Sequence, residues 1–395
     1  MTERPLPSLP FEQPDPWQPP HELTTLSADG PIHRVRTRTG DPAWLVTSYS
    51  EVRRLLGDDR LGMAHPDPDH AARATDSALF GGRPPDNYDT EHADRARFRA
   101  LLQPYFLPAR MRALRPRVDM LVAALLDDLA AGLPPADLHE HLAVPLPVLV
   151  ICELLGVPPT DRPQFRAHTQ AVAALDDHAR SAAGLAALFD YTRRLVAHKR
   201  AHPQDDLISG LCATEAGSLD DDYIATLAAM VLFAGHETTV VQIGISAVRL
   251  LSTPTDRDLL TTQPEQAPQL VEEYLRLANT GGGGIPRYPR CDLDIANTRV
   301  PAGDLILLDV GAANHDPTIY HQPDRVDLQH TTAHLSFGHG NHYCIGAPLA
   351  RVELTAVFSQ LLARFPTLRL ALDRKQLPWR TDLLTGGYAQ IPITW

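Results

Sequence analysis

Cysteine is scarce in this chain: four residues in 395, at positions 152, 212, 291 and 344. They lie too far apart to suggest a disulfide framework. Neither a C-x-x-C nor an H-x-x-x-H pair accompanies Cys344, which argues against zinc. The proline-rich opening, Pro5 to Pro20, lacks the basic-then-apolar order of a signal peptide. The longest apolar run, Ile224 to Ala234, is too short to span a bilayer. A cytoplasmic protein with no membrane partner is therefore expected. Excess positive charge is missing too: the net charge of −12 argues against nucleic acid as the main partner. No polar linker, low-complexity tract or repeat divides the chain. One domain over 1–395 is expected, with 1–20 an extended N-terminal segment, and 44% hydrophobic residues suffice for a large core.

What is present is mostly helical pattern. Ile32 to Arg38 alternates, Thr39-Gly40-Asp41 turns, and Ala43 to Thr47 returns as a hairpin. Ser48-x-x-Glu51 reads as a capping box opening a helix through Leu56. Helical periodicity dominates from Ala93 to about Leu251. A second β region runs from Leu293 to Val310, turning at Pro301-Ala302-Gly303, and another strand pair is expected around Gly386-Gly387. The fold class is mainly α with small peripheral sheets.

One cysteine stands in a specific setting. Phe337-Gly338-His339-Gly340-Asn341-His342-Tyr343-Cys344-Ile345-Gly346 is a glycine-permitted loop, followed by a helical stretch from Ala347 to Arg364. The helix N-terminus favours thiolate over thiol, and a thiolate kept from water suits a haem iron, where its electron donation favours O–O cleavage. The segment resembles the haem-binding signature of the cytochrome P450 family, with every motif position filled. That resemblance covers nearly the whole chain and implies the family's triangular helical prism. It also implies haem b (iron protoporphyrin IX), with Cys344 as axial metal ligand and Phe337 covering the sulfur. Gly338 and Gly340 would turn backbone N–H groups toward the sulfur, and Gly346 would let the helix start pass close to the porphyrin.

The central helix carries the second signal. Ser218-Leu219-Asp220-Asp221 reads as a start, and the apolar pattern continues to about Leu251. Glu237 is the only formally charged residue from Tyr223 to Val248, an isolated acid on a helix that is apolar all round. The segment Ala234-Gly235-His236-Glu237-Thr238-Thr239 resembles the family's oxygen-activation segment. The resemblance implies that Ala234 and Gly235 border the haem, Gly235 allowing a local opening of the helix. Thr238 would hydrogen-bond the activated oxygen, and Glu237 would relay protons to it. His236 and Thr239 stay outside the catalytic set.

Further roles follow from the same resemblance. Arg99, Arg287 and His342 match propionate-binding positions, and Arg95 stands where the family often has histidine, with His92 nearby. Glu273-Tyr274-Leu275-Arg276 and Arg325 match a Glu–Arg–Arg network bracing the cysteine loop. Arg95, Arg97, Arg99, Arg110, Arg112, Arg115 and Arg117 occur with no acidic residue between Arg95 and Val118. They form either a solvated basic surface or a docking patch for an acidic donor. Without a flavin or dinucleotide fingerprint, the chain needs an external ferredoxin and ferredoxin reductase, drawing indirectly on NAD(P)H. The expected substrate is an apolar small molecule, a bacterial secondary metabolite, hydroxylated or epoxidised with O2 by a monomer. Its pocket would be lined by Met63 to Asn87, Gln164 to Leu188, Met230 to Ala234, Asn279 to Ile285 and Leu383 to Gly387. The run Gly281 to Gly284 is either a flexible loop or extra room for a rigid metabolite. A non-hydroxylating or peroxide-driven haem-thiolate enzyme stays open, as does a non-catalytic ligand binder; the Glu237-Thr238 pair favours the monooxygenase.

Overall fold

The computed structural model describes residues 5–13, 15–78, 80–172, 177–214, 219–278, 283–380 and 386–395. In chain order the elements begin with α1 (His21–Asp29), β1 (Ile32–Arg36), β2 (Pro42–Val46), α2 (Tyr49–Leu56), β3 (Leu61–Gly62) and α3 (Glu91–Leu102). Next come α4 (Pro108–Ala131), β4 (Ala136–Asp137), α5 (Pro145–Leu155), α6 (Arg162–Val172), α7 (His178–Ala201), α8 (Leu207–Cys212) and α9 (Asp221–Ser252). Then follow α10 (Pro254–Thr262), α11 (Ala267–Leu277), β5 (Ile285–Pro289), β6 (Leu293–Ile295), β7 (Thr298–Val300), β8 (Ile306–Leu308) and α12 (Val310–Asn314). The last elements are α13 (Ala347–Arg364), β9 (Arg369–Leu370) and β10 (Pro392–Thr394). They form two compact units, 1–96 with 272–344 and 97–271 with 345–395, each built from two stretches of chain.

The first unit holds a five-stranded sheet in the order β1-β2-β8-β5-β3 and the small hairpin β6-β7. The hairpin turns on Ala296 and Asn297, both at positive φ (46° and 66°), a turn the sequence reading missed. The N-terminal segment lies extended along β1, with Leu9 N donating to Arg36 O at 2.8 Å and Arg36 N to Pro7 O at 2.8 Å. Apolar side chains on both faces of the sheet are buried, among them Leu45, Val46, Leu307 and Leu308.

The predicted capping box at Ser48 is not formed. Ser48 sits at the N-cap with an extended backbone, but its side chain makes no cap bond and its buried Oγ has no partner among the described residues. Asp316 supplies the acceptor instead, its Oδ2 taking the Tyr49 N–H at 2.9 Å, while Glu51 turns to Arg54. A carboxylate from a distant loop outcompetes the local hydroxyl because it carries full charge at the helix N-terminus.

The second unit is helical, with the strands β4-β10-β9 at its edge. Its 32-residue α9 is roughly 48 Å long at 1.5 Å per residue. Asp220 caps it, accepting the Tyr223 N–H at 2.6 Å, with Asp221 and Asp222 in the first turn. Ser218, part of the predicted start, lies outside the described residues. By length and composition α9 could cross a membrane, although its longest apolar run is shorter. Here 67% of its apolar window is buried, and α5, α6, α7 and α13 pack on it, which makes it a core helix. A buried ion pair, Lys199 Nζ to Asp206 Oδ2 at 2.6 Å, joins α7 to the start of α8. Gly156, at φ 75°, ends α5 beside this pair, and a Cβ there would overlap Asp206 Oδ2.

Removing the Asp316 cap should cost about 1 kcal/mol, as for other helix N-caps. Urea unfolding of Asp316→Ala should show that loss, whereas Ser48→Ala should stay within about 0.5 kcal/mol of the parent.

Candidate active site

In the first unit the cysteine loop is closed by backbone hydrogen bonds. Gly338 N donates to Leu335 O at 2.7 Å, Tyr343 N to Gly340 O at 3.0 Å, and Cys344 N to Phe337 O at 2.8 Å. Gly338 and Gly340 both take the left-handed backbone, at φ 74° and 66°. Gly340 also packs on the end of α2, where a Cβ would come within 2.7 Å of Gly57 Cα. The outcome is an exposed Cys344 with the half-buried Phe337 ring against Tyr343, 6.4 Å between centroids. Gly346 caps α13 with ordinary right-handed dihedrals.

Behind the loop stands the Glu273–Arg276 pair, buried and bidentate at 2.9 and 2.9 Å. Arg276 also donates to the carbonyls of Asn314 (3.0 Å), Pro323 (2.7 Å) and Arg325 (2.8 Å), and stacks over Tyr320. The expected third arginine is corrected here. Arg325 joins through its backbone carbonyl, while its side chain is exposed and stands in no ion pair among the described residues. His330 fills that place, its Nδ1 3.2 Å from Glu273 Oε1, and the Asp327 amide donates to Oε2 at 2.9 Å. One guanidinium already satisfies Glu273 bidentately, so only a single-point donor fits the remaining lone pairs. Burial pushes the Glu273 carboxyl up, but Arg276, the Asp327 amide and His330 outweigh it and hold it below the usual carboxylate range.

The second unit presents α9. Most of the helix is buried, yet Met230, Ala234 and Thr238, four residues apart, remain exposed along one stripe. Thr238 Oγ1 donates to Ala234 O at 2.9 Å. Glu237 sits on the buried side, its Oε1 3.5 Å from His236 Nδ1. The helix runs on through Gly235. Gly235 lies against α5, where an added Cβ would come within 2.8 Å of Ile151 Cδ1. On α13 a further acid, Glu353, is fully buried, and burial holds its carboxyl well above the usual range. Nothing in the sequence singled it out, because its surroundings come from packing.

The predicted propionate partners divide between the units. In the first, Arg287 on β5 is 5% exposed and donates to the carbonyl of its neighbour Pro286 at 2.7 Å. It has no carboxylate in ion-pair range among the described residues. Burial, and then the positive charge of Arg95, push its guanidinium down to about 10. Arg95 donates to Asn341 O at 3.1 Å, next to His342. Arg99 lies four residues after Arg95 on α3, half-buried. The charge of Glu91 offsets this only in part, so a further anion beside the two guanidinium groups would be favourable. A haem propionate is such an anion, so the residues present fit the group. The basic stretch is partly engaged: Arg115 pairs with Asp119 and Arg117 with Glu153, while Arg97 and Arg110 lie over the rings of Tyr223 and Tyr105. Arg112 is exposed.

Of the glycine run, Gly281 and Gly282 lie outside the described residues, as do Asn279, Leu383 and Leu384. Gly283 and Gly284 are left-handed, at φ 73° and 94°, and a Cβ on Gly284 would press on Leu307 at 3.1 Å. Close approach of the chain to β8 therefore explains Gly284 without any reference to substrate.

An exposed thiol on a glycine loop, and a buried cation whose charge is only partly offset, are features that a haem-thiolate oxidoreductase would use. Comparison with known proteins agrees. The family profile "Cytochrome P450" matches residues 266–385. Pentalenolactone synthase from Streptomyces exfoliatus is 42% identical over 98% of this chain and 99% of its own. The mycinamicin IV hydroxylase/epoxidase of Micromonospora griseorubida is 36% identical, with 96% of this chain and 98% of its own covered. The solved structure of the substrate-free pimaricin epoxidase PimD superposes with a TM-score of 0.89 at 37% identity, covering 100% of both chains. The chain belongs to the cytochrome P450 family of haem-iron monooxygenases.

Replacing Glu273 with Gln leaves Arg276 buried without its charge partner, a change that costs about 3 kcal/mol or more. The folded carboxyl titrates below its unfolded value, about 4.3, so its contribution is complete above that pH. It is lost as pH falls through the folded value. Urea unfolding at several pH values should therefore show the gap between wild type and Glu273→Gln shrinking as pH drops below roughly 4.3.

Proposed function

We propose that residues 1–395 form one cytochrome P450 domain that hydroxylates or epoxidises an apolar small molecule, a bacterial secondary metabolite. Electrons come from NAD(P)H through an external ferredoxin reductase and ferredoxin, and the enzyme works as a cytoplasmic monomer. The observation that carries the reading is the Cys344 loop, which presents one thiol on two left-handed glycines. The names of the hydroxylase/epoxidase and epoxidase relatives support the reaction type. Exposed Arg112 and its basic neighbours support docking of an acidic donor, whose encounter their field would steer.

Cys344 would ligate the haem iron, and Arg287, Arg95, Arg99 and His342 would hold the propionates. Phe337, Gly338, Gly346, Ala234 and Gly235 would border the ring. When bound, the haem supplies O2 binding and one-electron chemistry, inserting one oxygen atom into substrate and releasing the other as water. The chain's own part is to hold sulfur and ring, to exclude bulk water, and to bring two protons to the oxygen that leaves as water. Thr238 offers a hydroxyl on the open stripe of α9, fixed by its bond to Ala234 O. Glu237, one residue earlier, is the acid that recharges it.

In the reduced protein treated with carbon monoxide, the Soret band should show the strong red shift of thiolate ligation, and Cys344→Ser should abolish it. A Cys344→Ser protein with unchanged spectrum and turnover would refute the assignment. Candidate metabolites should be screened for a low-to-high spin shift of the ferric iron. With the best of them, Thr238→Ala should bind haem and substrate normally while product per NADPH falls roughly 10-fold or more, the lost electrons appearing as peroxide.

A further inference from the structure

The buried side of α9 carries a group that this scheme leaves unused. His236 is 1% exposed, and its ring lies against Phe165 of α6 with 5.8 Å between centroids. Its Nδ1 stands 3.1 Å from Thr169 Oγ1 of α6 and 3.5 Å from Glu237 Oε1. Thr169 is fully buried. The shorter distance is a hydrogen bond, and the longer is an electrostatic approach within the same buried cluster. One nitrogen thus faces both a hydroxyl and a carboxyl group. With a proton on Nδ1, the hydroxyl oxygen accepts it and an ionised Glu237 is attracted. With Nδ1 bare, its lone pair faces the carboxylate and repels it.

We propose that His236 is a positioning residue for proton delivery. Its Nδ1–H, held in place by Thr169, steadies the carboxylate left each time Glu237 passes a proton toward Thr238. In that step the O–H bond of Glu237 breaks and its electron pair stays on the carboxylate oxygen. The proton passes through a water molecule toward the Thr238 hydroxyl, whose own proton moves onward, and a hydronium ion from solvent later reprotonates the carboxylate. Since Thr169 belongs to α6, the seating of α6 governs how readily the acid gives up its proton. The inference rests on Glu237 being the proton relay.

Two measurements on the holoenzyme test it. The first follows NADPH oxidation, driven through ferredoxin reductase and ferredoxin without organic substrate, in H2O and in D2O. Thr169→Val and His236→Phe should each raise the solvent isotope effect by about twofold, consistent with a proton step becoming more limiting. His236→Gln, which keeps a side-chain donor, should stay near wild type. Combining Thr169→Val with Glu237→Gln should raise the effect no further than Glu237→Gln alone, since coupled residues are non-additive. The second uses 15N-histidine spectra of the diamagnetic reduced carbon monoxide complex. One Nδ1–H resonance should vanish in His236→Gln and shift in both Thr169→Val and Glu237→Gln. Thr169→Val keeps the side-chain shape and remains informative if His236→Phe fails to fold. An unchanged isotope effect in Glu237→Gln sinks the relay and the inference with it. A raised effect in Glu237→Gln alone, with Thr169→Val at wild-type values or the resonance unmoved, overturns only the role of His236.

Discussion

The thiol loop depends on one buried ion pair. Glu273 and Arg276 sit one turn apart on α11, and the guanidinium spends its remaining donors on three backbone carbonyls. One of these belongs to Asn314, whose side chain reaches the loop: Oδ1 accepts Leu335 N at 2.8 Å and Nδ2 donates to Ser336 Oγ at 2.8 Å. Ser336 Oγ in turn donates to Leu275 O on α11, at 2.7 Å. Leu335 then anchors Gly338, and Phe337 anchors Cys344. The cysteine is thus wired to a helix rather than hung from a mobile loop. An ion pair of this kind is a poor source of net stability, because desolvation offsets most of its attraction. Its value is geometric: the fork of Arg276 fixes three peptide planes that apolar packing alone would leave free to slide.

Charge is handled in opposite ways in two parts of the first unit. Glu273 and Arg276 cancel each other, and Arg290 meets Glu91 at 2.7 Å. Glu91 also takes the Met63 amide at 2.6 Å, pinning the start of the long 63–90 segment to α3. Arg287 is different, with a like charge as a neighbour and a carbonyl as its bond partner. Proteins bury such a cation only where something else supplies the anion. The charge of Glu91 offsets only part of this, so an anion such as the proposed haem propionate would complete the balance at Arg287.

How much of this was legible in the sequence depends on how local the cause is. The β1-β2 hairpin, the long α9 and the glycine loop before Cys344 follow from patterns a few residues long, and they form as read. Ser48 failed because a distant carboxylate, Asp316, competes for the same amide, and no local pattern reveals that competitor. Arg325 failed for a related reason: its position in the chain is right, but the backbone carbonyl does the work and His330 brings the ring. The approach of Ile151 on α5 to Gly235 joins two distant helices, which no local pattern reveals. The Thr169–His236 contact spans 67 residues and two helices, so only tertiary packing could show it.

Glu237 and Thr238 are adjacent in sequence, but adjacency in a helix separates side chains by about 100° around the axis. The alcohol accordingly lies on the open stripe with Met230 and Ala234, while the acid points into the interior beside His236. An acid on the open stripe would meet solvent and ionise at neutral pH, leaving no proton to give. An acid buried without a polar neighbour would stay neutral and release its proton reluctantly, since the bare carboxylate is costly there. On the proposed scheme, an N–H at His236 Nδ1, 3.5 Å from Glu237 Oε1, would steady the carboxylate once the proton has left. In the proposed relay, turning the acid away from the alcohol would shield it from bulk solvent between turnovers.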